Sequence, residues 1–129
     1  MAEAWDELIR ELARREQRGD WQELLAEILR EAIATREHPG IYFAAEPAGR
    51  VAKVVGTGLG VWELVQSWRD AGKDDEALLG MLPNLARWQL DAALGYYKQH
   101  EAEITGLIED NRRQSAEDFR PLLPGLIVE

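Results

Sequence analysis

The sequence predicts a mostly α protein: an N-terminal helical hairpin, a small β-hairpin, a trihelical helix-turn-helix-like core and an extended C-terminal tail. Three observations lead there. Apolar residues recur at spacings of three, four and seven over residues 5–37 and again from 61 to about 111, the period of a half-buried helix. Between those stretches the period shortens to β-branched and aromatic runs around Glu46-Pro47-Ala48-Gly49, which has turn chemistry. A chain of 129 residues that is 46% hydrophobic is about one domain long and of ordinary globular composition. The segments read as 1–37, a helical hairpin; 38–112, the helix-turn-helix-like unit with its β-hairpin; and 113–129, the tail.

In the first helix Trp5, Leu8, Ile9 and Leu12 share one side, with Glu, Asp and Arg between them. Gly19 suits the left-handed position that ends it, and Asp20 with Glu23 three residues later makes a capping-box start for the second. That helix carries Trp21, Leu24, Leu25, Ile28, Leu29, Ala32 and Ile33 on its apolar side, and Trp5, Trp21 and Trp68 are expected in the core. Pairs such as Glu11 and Arg15 belong to a solvated face, where each contributes only tenths of a kcal/mol. His38-Pro39-Gly40 stops the helix, because a residue before proline avoids helical dihedrals.

Ile41-Tyr42-Phe43 and the run 50–55 form the two arms of the hairpin. Gly56-Thr57-Gly58-Leu59-Gly60 follows; it lacks the lysine–hydroxyl pair of a phosphate loop, so its glycines serve the backbone turn. Three helices come next, over 61–71, 75–82 and from 87 onward, joined by Gly72-Lys73-Asp74 and Pro83-Asn84. Val61, Leu64, Val65 and Trp68 form the inner stripe of the first, with Trp62 off it and facing the hairpin. Asp74 caps the second, which turns Ala77, Leu78, Met81 and Leu82 inward. The third is one long helix with a stripe of Leu90, Ala93, Leu94, Tyr97, Ile104, Leu107 and Ile108. A Pro-Asn step joins the last two at a steep angle, which is the helix-turn-helix pattern.

Net charge is −9, distributed as −4 over residues 1–40, −1 over 41–100 and −4 over 101–129. This opposes a protein that wraps nucleic acid, since phosphate neutralisation supplies most non-specific affinity. Only the central third leaves room for a small basic face. There Arg87 and Gln89 open the third core helix with side chains of the kind that read guanine and adenine edges, and Arg50, Lys53 and Lys98, with Arg69 and Lys73, are candidate phosphate contacts. Trp88, Ala92 and Gly95 mark a second side of that helix where small residues beside an aromatic admit another backbone; with the broad apolar faces of the first two helices they predict a homodimer. In the tail, Phe119, Leu122, Leu123, Leu126, Ile127 and Val128 are interrupted by Pro121, Pro124 and Gly125, so they form either a cover for the chain's own helices or an arm for a partner.

Catalysis and metal binding find little support. His38 and His100 are far apart in sequence, there is no cysteine, and Asp74-Asp75-Glu76 has the ordinary explanation of a helix start. No cofactor, catalytic or metal-ligating residue is assigned. The acidic, amphipathic opening is unlike a signal peptide, and the longest apolar run, over 121–128, is short of the ~20 residues of a membrane span, so a cytoplasmic protein without a membrane role is expected.

His38-Pro39-Gly40-Ile41, Gly49-Arg50, Gly56-Thr57, Val61-Trp62-Glu63, Ala77-Leu78-Leu79, Pro83, Leu85, Asp91-Ala92-Ala93-Leu94-Gly95-Tyr96-Tyr97 and His100-Glu101-Ala102-Glu103-Ile104 together resemble domain-of-unknown-function family 433, which is grouped with VapB-like antitoxins. The resemblance covers about residues 36–112. It implies a compact helix-turn-helix-like domain after a short β element, dimeric, and in some cases encoded beside a PIN-like toxin. Gly58 and Ala86 stand where that family pattern has an arginine and a hydroxyl residue. The functional expectation is therefore a non-enzymatic, antitoxin-type adaptor that binds a partner protein and operator DNA. The rivals are a structural homodimerising module without DNA binding and a small hydrolase.

Overall fold

A computed structural model describes residues 2–16, 20–47 and 49–122, with side chains over 4–16, 20–47 and 49–116. It is mostly helical, with six helices among the described residues and a two-stranded antiparallel hairpin. The chain divides into two compact units, Met1–Pro39 and Gly40–Glu129.

The first unit is α1 (Ala2–Arg15) followed by α2 (Trp21–Glu37). The Asp20 carboxylate accepts the free N–H groups of Gln22 and Glu23, both at 3.1 Å, and so starts α2. At its far end His38 leaves helical dihedrals while its N–H still reaches the Ala34 carbonyl at 2.8 Å. Gly19, expected to end α1, lies outside the described residues. Ala13, Leu24 and Ala34 are buried. Trp5 and Trp21, expected in the core, are instead 64% and 41% exposed. The physical reason is width: the apolar arc of each helix is broader than a seam between two helices covers, and a seam that takes Ala13 and Leu24 leaves the outer edges in water.

In the second unit β1 (Ile41–Glu46) pairs with β2 (Gly49–Val54) in a register that sets Ile41 opposite Val54 and Phe43 opposite Ala52. Strand alternation puts these four on one face; Ile41, Ala52 and Val54 are buried, while Tyr42 on the other face is exposed. The glycine-rich loop is a backbone turn. Thr57 Oγ1 donates to the Val54 carbonyl at 2.8 Å and accepts the Leu59 N–H at 2.9 Å, with Gly56 and Gly58 at positive φ on either side. Thr57→Val keeps the shape and removes both bonds. A loss of about 1–3 kcal/mol is expected, measured by urea unfolding.

The loop delivers the chain into α3 (Val61–Asp70), whose first turn is closed by the Glu63 carboxylate accepting the Gly60 N–H at 3.0 Å. Val61, Leu64 and Val65 are fully buried, and α3 is the element against which β2, α4 (Asp75–Met81), α5 (Arg87–Gln99) and α6 (Glu101–Leu122) pack. Asp74 caps α4 by accepting from Glu76 and Ala77 N–H groups at 3.0 and 3.2 Å. Of the four residues expected to point inward from α4, Leu78 is buried, Leu82 half-buried, and Ala77 and Met81 are exposed. A helix of seven residues has two turns, so only one position faces α3 squarely.

The long third helix expected from the apolar stripe is two helices. His100 breaks it, at φ −132° and ψ 42°, donating its N–H to the carbonyls of Tyr96 and Tyr97 and accepting from Ile104 with its own carbonyl. Its ring stacks on Tyr96 at 4.1 Å, and the Tyr96 hydroxyl donates to the Glu103 carboxylate at 2.8 Å. The bend lets Leu90, Ala93 and Tyr96 of α5 and Ile104 and Ile108 of α6 all be buried. α6 also continues to Leu122, through the stretch from 113 that was expected to be irregular. Residues 112–118 are mostly good helix formers, so polarity there changes what the helix faces and not whether it forms. Of Phe119 and Leu122 only the helical backbone is described; Leu123, Leu126 and Ile127 lie outside the described residues. Among the described residues no helix is long and apolar enough to cross a membrane.

Candidate interaction surfaces

The residues expected to read DNA are placed by α5, and the structure commits most of them elsewhere. Arg87, on its first turn, points at the start of α4, where the acids that favour a helix N-terminus gather. Its guanidinium lies 2.6 Å from Glu76, 3.4 Å from Asp75 and 3.8 Å from Asp91. The hydrogen bond that Arg87 donates to Glu76, then the charge of Glu76, holds the Arg87 pKa above the ordinary arginine value. Three carboxylates thus share the Arg87 guanidinium, whose side chain stays half exposed.

Gln89 is 7% exposed. Its Oε1 accepts the Ala86 N–H at 2.8 Å and its Nε2 donates to the Val55 carbonyl at 3.0 Å. The side chain therefore caps α5 and ties it to the end of β2; it is not positioned to read a base. The capping explains how α5 starts without a hydroxyl at Ala86. Close by, a Cβ on Gly56 would stand 2.8 Å from Gln89 Nε2.

The other candidate cations are dispersed. Lys53 pairs with Glu46 at 2.6 Å, and that hydrogen bond raises its pKa. Arg50 is half-buried on the hairpin, donating to the Phe43 carbonyl at 3.4 Å. Arg69 donates to the hydroxyls of Tyr97 and Thr105 and lies over the Tyr97 ring, which links α3, α5 and α6. Lys73 lies over the Trp68 ring. Lys98 alone of the five assigned DNA residues is exposed and makes no ion pair among the described residues. It stands 11 residues from Arg87, ~16 Å along the helix. Each of these cations but Lys98 thus has an acid, carbonyl, hydroxyl or ring partner among the described residues.

The predicted protein-contact residues fare differently. Ala92 already receives a close backbone, that of Gly40: a Cβ there would come within 2.7 Å of Ala92 Cβ and 3.5 Å of the Trp88 ring. Trp88 remains 54% exposed. Gly95 is open, with nothing within 4 Å of where its Cβ would be. It borders a trough of about 630 Å³ between α5 and the α3–α4 corner, walled by Trp68, Lys73 and Asp75 on one side and Asp91, Leu94 and Lys98 on the other. A second cleft, about 390 Å³, is lined by Trp62, by Glu46, Val51 and Lys53 of the hairpin and by Leu107 of α6.

In the N-terminal unit, α1 presents Trp5 and Leu8, each 64% exposed, and Leu12 at 37%, at spacings of three and four along one face. All three were expected on one apolar side of the helix, and of them Trp5 was expected in the core. Among the described residues no group of three His, Asp or Glu side chains is gathered to hold a metal ion. Comparison with known proteins returned no matching family model, curated protein or solved structure.

Proposed function

We propose that this protein is a non-enzymatic adaptor of antitoxin type that works by binding another protein, with the apolar face of α1 as its docking element. The exposure of Trp5 and Leu8 carries this reading. An amphipathic helix with anchors at i, i+3 and i+7 fits the helix-in-groove mode of recognition, in which large apolar side chains enter a partner's groove and the charged side stays in water. Burying a leucine or tryptophan fully contributes about 1.5–3 kcal/mol, and here most of that surface remains to be buried. The antitoxin class rests on the resemblance of residues 36–112, and with it the PIN-like toxin as the kind of partner.

Operator binding is the weaker arm of this reading, because Arg87 faces carboxylates and Gln89 is used within the fold. Anisotropy of the protein against the DNA upstream of its own gene at low salt is expected to give no binding that Arg87→Ala reduces.

The docking face is tested by co-expression with the product of the neighbouring gene. The wild-type chain is expected to co-purify with it, and Leu8→Glu to bind at least tenfold more weakly. Because Leu8 is exposed, that variant should unfold within about 0.5 kcal/mol of wild type. No complex, or one indifferent to Leu8→Glu, contradicts the proposal.

A further inference from the structure

We infer that Arg69, with the hydroxyls of Tyr97 and Thr105, forms a binding site for a small tetrahedral oxyanion, the phosphate group of a free phosphate or a phosphate monoester. The inference is independent of the role given to α1.

Arg69 stands in the last turn of α3 and is half-buried. Its Nη2 donates to the Tyr97 hydroxyl at 2.5 Å and to the Thr105 hydroxyl at 3.3 Å, and its guanidinium lies 5.4 Å from the centre of the Tyr97 ring. All of these partners are neutral, and among the described residues Arg69 makes no ion pair. A charge drawn out of water is costly unless an opposite charge compensates it. Acids are not scarce in this chain, which has 24 of them against 15 lysines and arginines. Arg87, though more exposed, has three carboxylates about it, and Lys53, at 20% side-chain exposure, pairs with Glu46. Arg69 is thus a half-buried cation whose counter-charge none of the described residues supplies.

What surrounds it is a set of donors. Both hydroxyl oxygens accept from Arg69, and neither donates to any described residue, so each keeps a hydrogen to give. Positive charge and hydrogen-bond donors from α3, α5 and α6 therefore converge, which is complementary to an anion. The guanidinium decides its shape. Both of the forks with which an arginine grips a planar carboxylate include Nη2, and the Nη2 hydrogens are already given to the two hydroxyls. A tetrahedral anion needs no parallel pair, because its oxygens diverge and can take one hydrogen each from Nη1, Tyr97 and Thr105. Lys73, just past the same end of α3, also makes no ion pair among the described residues and lines a trough with Tyr97. Of the acids along that trough, Asp75 and Asp91 face Arg87 and Glu101 is exposed. The net charge of −9 limits the occupant to a small anion, since a nucleic-acid backbone would set many further phosphates against it.

The full chain is titrated at constant ionic strength with inorganic phosphate, phosphoserine and acetate, and followed by NMR through its amide and arginine Nε–H signals. Saturable shifts centred on Arg69, Tyr97 and Thr105 are expected with phosphate and not with acetate. Response to inorganic phosphate alone marks the free ion as the source, response to phosphoserine alone an esterified phosphate, and response to both a site that reads the phosphate group itself. Tyr97→Phe and Thr105→Val retain the guanidinium and the side-chain shape, and each should weaken binding about tenfold through loss of one charge-assisted hydrogen bond. Arg69→Gln should abolish binding; if that variant does not fold, the two hydroxyl variants decide. No saturable shift with either phosphate, acetate binding as tightly as phosphate, or an affinity that Tyr97→Phe and Thr105→Val leave unchanged overturns the proposal.

Discussion

Gly40→Val is expected to destabilise the second unit by about 2–4 kcal/mol, the upper part of the range for overpacking a filled site. A Cβ at this position meets the Ala92 Cβ at 2.7 Å, and neither atom has a torsion to turn away with. Relief requires moving either the hairpin or α5. The smaller Gly40→Ala should lose about 1–3 kcal/mol, offset by the few tenths that a glycine gives up in the unfolded chain. For a unit of this size each kcal/mol lowers the melting temperature by roughly 4–8 °C. The contact is tested as a cycle with Ala92→Gly. That change alone costs about 1 kcal/mol of helix propensity, but in the Gly40→Ala background it removes the clash, so the double variant should be more stable than the sum of its parts predicts. Strict additivity would show that the two backbones do not touch.

Gln89→Leu comes second, at about 2–3 kcal/mol. The volume is retained, but the Val55 carbonyl and Ala86 N–H lose their partner at a buried position, and an unsatisfied buried polar group costs about 1–3 kcal/mol. Gln89→Glu separates the polar effect from packing. One carboxylate oxygen can still accept from Ala86, while the other faces the Val55 carbonyl, which repels it when ionised. The folded carboxyl pKa is then raised above the unfolded one. The penalty is fully present at neutral pH and recedes as pH falls through the folded value, where the protonated oxygen can donate to Val55. Urea midpoints of Gln89→Glu should thus approach those of wild type on acidification, whereas the deficit of Gln89→Leu stays constant. A pH-independent deficit in both would remove Gln89 from its bridging role.

Much of the fold was legible because local chemistry agreed with long-range packing. Asp20 and Asp74 announced the starts they cap, Pro47 and Gly49 the hairpin turn, and the Val61-Leu64-Val65 stripe the centre of the core. The break at His100 was not legible. It needs no glycine or proline, being made by backbone bonds to Tyr96 and Tyr97 and a ring stack, while the apolar period runs on across it. The partners that Arg87 and Gln89 find within the fold were hidden for a related reason. Residue type made Arg87 and Gln89 look like base readers, but only tertiary structure sets Glu76 and Asp75 against the first and Val55 against the second. Exposure of Trp5 and Trp21 was likewise hidden, since periodicity tells which side of a helix is apolar and not how much of that side a neighbour covers.

The claim that this protein acts through the apolar face of α1 is tested most directly by amide hydrogen exchange of the chain alone and with the product of its neighbouring gene. New protection is expected, concentrated in residues 4–16. Absence of a complex, or protection that leaves those amides unchanged and falls on residues 87–99, would contradict it.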